Sequence, residues 1–152
     1  MDVEQRRVSG QEEHFRRLEK MYLSAPVNGF YRPEIQIEEA RAEISIPVRK
    51  ELMHAAAAVH GAVYFKVLDD ACFFAANSLV IDVFVLTASF NIYQMRPVNE
   101  GVIRGVGRVV HHSGSMSIAE GEALDSEGRT IARGSGSFVR SSINLDERVG
   151  YL

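Results

Sequence analysis

The chain has 152 residues, of which 46% are hydrophobic and 24% are charged, and its formal net charge is −3. These values are typical of a single soluble globular domain with a buried core, and the negative charge argues against nucleic-acid binding. The lone cysteine, Cys72, excludes an internal disulfide bond. No apolar segment has membrane-spanning length and no signal-peptide pattern follows Met1, so the sequence predicts a cytoplasmic protein without membrane attachment.

The first segment predicts a helix. Ser9 and Glu12 have the spacing of a capping box, and the pattern stops at Pro26. Between them, apolar side chains recur at helical spacing at Phe15, Leu18, Tyr22 and Ala25. We therefore assign residues 1–27 to a helical extension, whose apolar stripe lies against the main body or a partner subunit, and residues 28–152 to the main domain.

The next part of the chain predicts a loop, a strand and a helix in turn. Composition indicates a loop over Asn28–Pro33, and alternating residues indicate one long strand over Ile35–Val48. The segment from Gly61 to about Asn77 is apolar nearly all round. A helix of that kind is surrounded by protein, so we expect one central helix.

Four strand-like segments with short connections follow this helix and predict an antiparallel meander. They are Phe84–Met95, Val102–His111, Met116–Leu124 and Thr130–Arg140. Small residues recur on one face of the last three, among them Gly105, Gly107, Gly121, Gly134 and Gly136. Since glycine weakens a strand, we expect this face to receive the central helix; greater sheet curvature without helix contact is the alternative.

The candidate chemistry lies in the central helix, which His60 and Gly61 open. Unsatisfied N–H groups and the positive end of the helix dipole suit an anion or a polarised carbonyl there. Asp69 and Asp70 follow about two turns later, and a carboxylate in an apolar segment is costly unless exposed, paired or used. Helix geometry does not decide between the two acids, because Lys66 lies within reach of both. Together these features predict a site for acyl chemistry.

Several motifs in sequence order resemble the PaaI-like acyl-CoA thioesterases of the hotdog-fold superfamily. They are His-Gly-Ala at 60–62, Val-Leu-Asp-Asp-Ala at 67–71, a strand from Thr87 to Arg96-Pro97, Val-Val-His-His-Ser-Gly at 109–114, and a closing hairpin at 125–138. The resemblance covers about residues 30–140. It implies an α+β hotdog fold, in which a curved antiparallel sheet wraps around one long central helix.

The resemblance also implies a thioester hydrolase and assigns roles by position. Asp69, nine residues after His60, would attack the thioester carbonyl or activate a water, and the backbone N–H of Gly61 would polarise that carbonyl. His54 stands where the family has an amide, and Thr87 stands where a Ser or Thr assists. The family arrangement is a homodimer or homotetramer in which Asp69 faces the partner subunit's Gly61. The structural alternative for Asp69 is an interface ion pair or a buried hydrogen-bonded carboxylate.

Further contacts to an acyl- or aryl-CoA substrate are predicted at His60, Ala62, Asp70, Ser113 and Ser115. His60 is expected to fix the turn at Gly61, and Asp70 to have a structural or substrate-orienting role. No cofactor is expected and no metal, because His111 and His112 are adjacent on a strand and point to opposite faces.

Three departures from the family pattern keep a rival function open. His54 replaces the usual amide and is alternatively a solvent-exposed loop histidine, and Ala62 replaces a glycine. The turn at Ser113–Ser115 lacks the arginine that lies near CoA phosphates in the family. The alternative function is therefore a non-catalytic hotdog protein that binds an acyl-CoA or a protein partner.

Overall fold

The computed structural model describes residues 3–152, apart from the side chains of residues 3, 4 and 6, so Met1 and Asp2 of the predicted extension lie outside it. The helices are α1 (Val3–Ser24), α2 (Pro26–Tyr31) and α3 (Gly61–Asn77), with short 3-10 turns at Lys50–Leu52 and Glu147–Val149. The strands are β1 (Glu34–Glu38), β2 (Arg41–Pro47), β3 (Val83–Gln94), β4 (Val102–His112), β5 (Met116–Leu124) and β6 (Thr130–Asn144). No helix in the described range is long and apolar enough to cross a membrane.

The six strands form one antiparallel sheet in the order β1-β2-β4-β5-β6-β3. The predicted meander is confirmed for β4, β5 and β6, but the expectation that β3 continues it is wrong. β3 pairs with β6 and forms an edge of the sheet. The reason is that β2 occupies the side of β4 that a hairpin between β3 and β4 would need.

The central helix α3 has the predicted bounds and lies on the small-residue face of the sheet. A Cβ at Gly105 would lie 2.3 Å from Val67 Cγ1, and one at Gly107 would lie 2.5 Å from the backbone carbonyl of Ala71. Side chains at these positions would therefore collide with the helix. The predicted groove is confirmed for β4, and on β5 a Cβ at Gly121 would lie 3.0 Å from side-chain atoms of Leu68 and Cys72 on α3.

The two glycines of β6 lie against a different neighbour from the predicted one. A Cβ at Gly134 or Gly136 would lie 2.7 or 2.5 Å from ring atoms of Phe90 on β3. These glycines therefore admit an aromatic ring from the edge strand, which occupies space that we expected α3 to fill.

The predicted single strand over Ile35–Val48 is wrong, because the chain turns back at residues 39 and 40 to form the hairpin of β1 and β2. Ala40 has a φ of 58°. Its backbone N–H donates to Ser78 Oγ at 2.8 Å, and its carbonyl accepts from Val109 N at 2.9 Å. These contacts from distant parts of the chain hold a turn that has no glycine.

The N-terminal extension is helical, but α1 already begins at Val3, so Ser9 lies inside the helix and the predicted cap is wrong. Phe15, Leu18 and Tyr22 of the predicted stripe are buried. The predicted loop over Asn28–Pro33 is wrong for its first part, which belongs to α2. The division of the chain at residue 27 stays a prediction.

The helix α1 closes the β1 edge of the sheet. Arg16 donates to the backbone carbonyl of Ile37 at 2.8 Å, and Glu19 Oε1 accepts from the Ile37 N–H at 2.8 Å. An unpaired strand edge is a template for another strand. The α1 side chains occupy the donor and the acceptor of a β1 residue, so this part of the edge is not free to pair.

Candidate active site

One face of α3 and one face of β3 meet along a row of three contacts, which we call the α3–β3 row. The contacts are Gly61 with Gln94, Phe65 with Phe90, and Asp69 with Thr87. The helix residues are four apart and therefore share one face. Because β3 is the edge strand, this row lies at the open side of the molecule.

The carboxylate of Asp69 is the acidic end of this row. Its Oδ1 accepts a hydrogen bond of 2.9 Å from the Thr87 hydroxyl. Partial burial raises the pKa of Asp69 above its usual value, the Asp70 carboxylate adds to the rise, and the Thr87 hydroxyl and Lys66 oppose it. A carboxylate with a raised pKa is a stronger base than an exposed one. The predicted pair of Asp69 and Thr87 is thus brought together in space.

The neighbouring Asp70 has different surroundings. Its Oδ2 accepts from Lys66 Nζ at 2.7 Å and from the Tyr22 hydroxyl at 2.7 Å. The Lys66 and Asp70 side chains are only 14% and 18% exposed. Burial, with the Asp70 charge as a second cause, raises the pKa of Tyr22. Asp70 therefore links α1 to α3. Lys66, which helix spacing alone places within reach of both acids, bonds to Asp70.

The other end of the row is the first turn of α3. His60 is the N-cap, and its Nδ1 accepts from the Ala62 N–H at 2.9 Å, while the His60 carbonyl accepts from the Val63 N–H. Within residues 3–152, the N–H of Gly61 has no such partner. The cap therefore orders the helix start and leaves one N–H group, at the predicted position, for an incoming acceptor.

The two ends of the row are far apart within one chain. Gly61 and Asp69 are eight residues apart on α3, which corresponds to about 12 Å along the helix axis. The ring of Phe65, which packs edge-on against Phe90 with centroids 5.3 Å apart, lies between them. A single chain therefore does not place both groups on one carbonyl.

The remaining predicted residues lie away from Asp69. His54 lies in an exposed turn, where its Nδ1 accepts from the Ala56 N–H at 3.1 Å. Ser113 and Ser115 lie in the turn between β4 and β5, and Ser113 closes it by bonding to Met116. The strand register places this turn two strands away from Thr87, at a distance of at least about 10 Å.

Four arginines of the strands could replace the phosphate-binding arginine that the turn at Ser113–Ser115 lacks, and three of them have acidic partners. Arg104 pairs with Glu43 at 3.0 Å, and Arg133 lies 3.6 Å from Glu122. Together with Arg108 they line a cavity of about 650 Å³ on the sheet face opposite α3. Arg140 pairs with Asp82.

Sequence reasoning missed Gln94 and Phe90, the two residues of β3 that complete the row. A bulge between Thr87 and Ser89 changes the phase of the strand, so that Thr87 and Phe90, three residues apart, both face α3. Regular alternation would have assigned them to opposite faces. In the described part of the chain, no three His, Cys, Asp or Glu side chains come together as a metal-binding group.

The fold matches solved structures that include a thioesterase. The structure of PaaI, from the phenylacetic acid degradation operon of Escherichia coli, is similar with a TM-score of 0.80 at 18% identity, over 88% of this chain and 97% of PaaI. Thioesterase HI1161 of Haemophilus influenzae is similar with a TM-score of 0.72 at 16% identity, over 79% of this chain and 85% of HI1161. The hotdog fold is thereby confirmed.

A search of curated proteins gave no match. The family model of the thioesterase superfamily matches residues 57–132, which is half of the chain and includes the whole of α3. The chain therefore belongs to the thioesterase superfamily and has the hotdog fold, with a structure similar to that of PaaI.

Proposed function

We propose that this protein hydrolyses an acyl- or aryl-CoA thioester, with Asp69 as nucleophile or general base. The observation that carries the proposal is the hydrogen bond between Thr87 and Asp69 at the acidic end of the α3–β3 row. This hydrogen bond holds the partly desolvated carboxylate of Asp69 in one orientation. The raised pKa of Asp69 makes that carboxylate a better base. Asp70, by contrast, is engaged by a cation and a phenol, which favours a structural or substrate-orienting role for it.

The chemistry can follow either of two routes. In one, Asp69 takes a proton from water, the hydroxide adds to the carbonyl carbon, and the carbon–sulfur bond breaks to release the thiolate, which takes up a proton. In the other, the carboxylate itself adds to the carbonyl carbon, and the carbon–sulfur bond breaks to release the thiolate, which takes up a proton. Water then hydrolyses the resulting anhydride, which releases the acid and restores the Asp69 carboxylate. In both routes the carbonyl oxygen gains negative charge, which the N–H of Gly61 at the positive end of the helix stabilises.

The site needs a second copy of the chain. The separation of about 12 Å between Gly61 and Asp69 is too large for one carbonyl, but in a homodimer Asp69 would face the partner subunit's Gly61. The exposed edge strand β3, which carries Thr87 and Gln94, favours an interface on this side. We propose a homodimer, alone or within a homotetramer, acting in the cytoplasm.

The other predicted residues differ in how closely their positions fit the proposal. His60 caps α3 and orders the Gly61 turn, and exposed Ala62 follows it at the helix start. His54 lies in the turn that precedes this helix start. Ser113 and Ser115 lie in an exposed turn that a long CoA chain could contact after leaving the reaction centre.

The exposure of His54 and the paired strand arginines favour the non-catalytic alternative, in which the protein only binds an acyl-CoA or a protein partner. Release of free thiol from a panel of acyl- and aryl-CoAs distinguishes the two functions. We expect wild-type turnover of at least one thioester and a loss of about 100-fold or more in Asp69→Asn.

The matched control is Asp82→Asn, the same change at an exposed carboxylate outside the row, and we expect wild-type rates for it. Binding without turnover by the wild-type protein would support the alternative. Turnover in Asp69→Asn equal to that of the control would exclude the role assigned to Asp69.

A further inference from the structure

The side-chain amide of Gln94, at the end of β3, lies directly against the first residue of α3. Its Nε2 donates to the Gly61 carbonyl at 3.1 Å. A Cβ at Gly61 would lie 2.4 Å from Gln94 Oε1 and 2.7 Å from Nε2. The amide therefore occupies the space that a side chain at position 61 would fill.

This contact explains why residue 61 is glycine. Positive φ angles occur at Gly101, Gly128 and Gly150 but not at Gly61, so the backbone conformation alone does not require glycine there. The carbonyl of Gly61 is also an acceptor within the helix, so α3 does not need the bond from Gln94. The close approach of the amide is thus the feature that glycine permits.

The amide lies near enough to the Gly61 N–H to act with it. A Cβ lies about 2.5 Å from the nitrogen of its own residue, so Gln94 Nε2 is within about 5 Å of the Gly61 nitrogen. One oxygen atom can accept hydrogen bonds from two donors at that separation. An amide has two N–H donors, and the bond to Gly61 uses one of them.

We propose that Gln94 is a second hydrogen-bond donor to the thioester carbonyl oxygen, acting beside the backbone N–H of Gly61. The inference rests on the function proposed above and adds a substrate-contacting residue to it. As the carbonyl carbon is attacked, its oxygen becomes negatively charged, and two preorganised donors stabilise that charge more than one. His54 stands where the family has an amide, and Gln94 of β3 supplies an amide at the helix start instead.

The first test replaces Gln94 with methionine, which has a similar length but no amide donor. We expect kcat to fall about 10- to 100-fold, because the lost donor acts in the transition state, while KM changes less than about threefold. The matched control is Asn91→Ala, since Asn91 is an exposed amide of the same strand that lines the opposite sheet face. We expect that control to retain wild-type kcat.

The second test displaces the amide without changing Gln94. Gly61→Ala keeps the backbone N–H, and its methyl group forces away the end of a flexible side chain, which the fold tolerates. We expect a similar loss of kcat. We also expect kcat of the double variant with Gln94→Met to lie within about threefold of the slower single variant, since both substitutions remove the same contact. Unchanged thermal midpoints verify folding.

Two results would overturn the inference without refuting the proposed function. One is wild-type kcat in Gln94→Met while Asp69→Asn is inactive, which leaves the proposed hydrolase intact and removes only the role of Gln94. The other is a multiplicative loss in the double variant, which shows that Gly61 and Gln94 act separately. A wild-type protein that cleaves no thioester of the panel refutes the proposed function itself, and the inference with it.

Discussion

The two edges of the sheet differ in what covers them. At the β1 edge, the buried apolar side chains of α1 pack against the main body. Arg16 and Glu19 of the same helix bond to the backbone of Ile37. At the β3 edge, exposed side chains such as Leu86, Tyr93 and Gln94 follow one another along the strand. The edge that carries the candidate chemistry is thus the uncovered one. The difference teaches that the added helix blocks one edge of the sheet and leaves the other exposed, where we propose that a second subunit binds.

The largest expected effect tests the closed edge. Leu18→Ala, at a fully buried position of α1, should lower the free energy of unfolding by about 2–5 kcal/mol, because it leaves a cavity between α1 and the main body. Urea unfolding followed by circular dichroism measures it. Leu23→Ala on the same helix, where the side chain is 51% exposed, is the control and should cost less than about 0.5 kcal/mol. Equal losses would show that α1 does not pack as a buried cover.

A smaller effect tests the open edge. Leu86→Lys places a charge on β3, where the side chain is 44% exposed, and should raise the dimer dissociation constant about 10-fold or more because the charge must be desolvated. Sedimentation velocity over a concentration series measures it, and thioesterase activity should fall in parallel with dimer content. Ile81→Lys, at an exposed position outside β3, is the control. Unchanged sedimentation of Leu86→Lys would place the interface elsewhere.

The smallest effect concerns the cost of holding Asp69 at the open edge. Its folded pKa is raised, so the folded state binds a proton more readily than the unfolded state, and stability falls as pH rises from the usual carboxyl pKa through the raised one. At neutral pH the wild-type protein therefore carries a penalty, and Asp69→Asn should raise Tm by about 1–4 °C. The gain should shrink as pH falls below that window. A gain that is constant with pH would show that ionisation is not its cause.

Local patterns were sufficient for much of the fold. The bounds of α3 agree with the prediction because an apolar segment of this length is marked by composition alone. The sequence also contains a sign of the hairpin of β1 and β2, since the apolar positions change from odd numbers (Ile35, Ile37) to even numbers (Ala42, Ile44) across the turn. We predicted one strand because alternating residues run through this segment. The turn was missed because the left-handed conformation of Ala40 depends on bonds to distant residues.

The site divides in the same way. The sequence by itself determined which residues open α3 and which acids follow two turns later, since both depend only on helix spacing. Only the tertiary structure decided that Lys66 bonds to Asp70 while Thr87 reaches Asp69, and that Gln94 lies on Gly61. The physical reason is that the contacts of Thr87 and Gln94 depend on the edge position and the bulge of β3, while Lys66 bonds to the acid that Tyr22 of α1 also contacts. Strand pairing and register are set by residues far apart in the chain, and no local pattern encodes them.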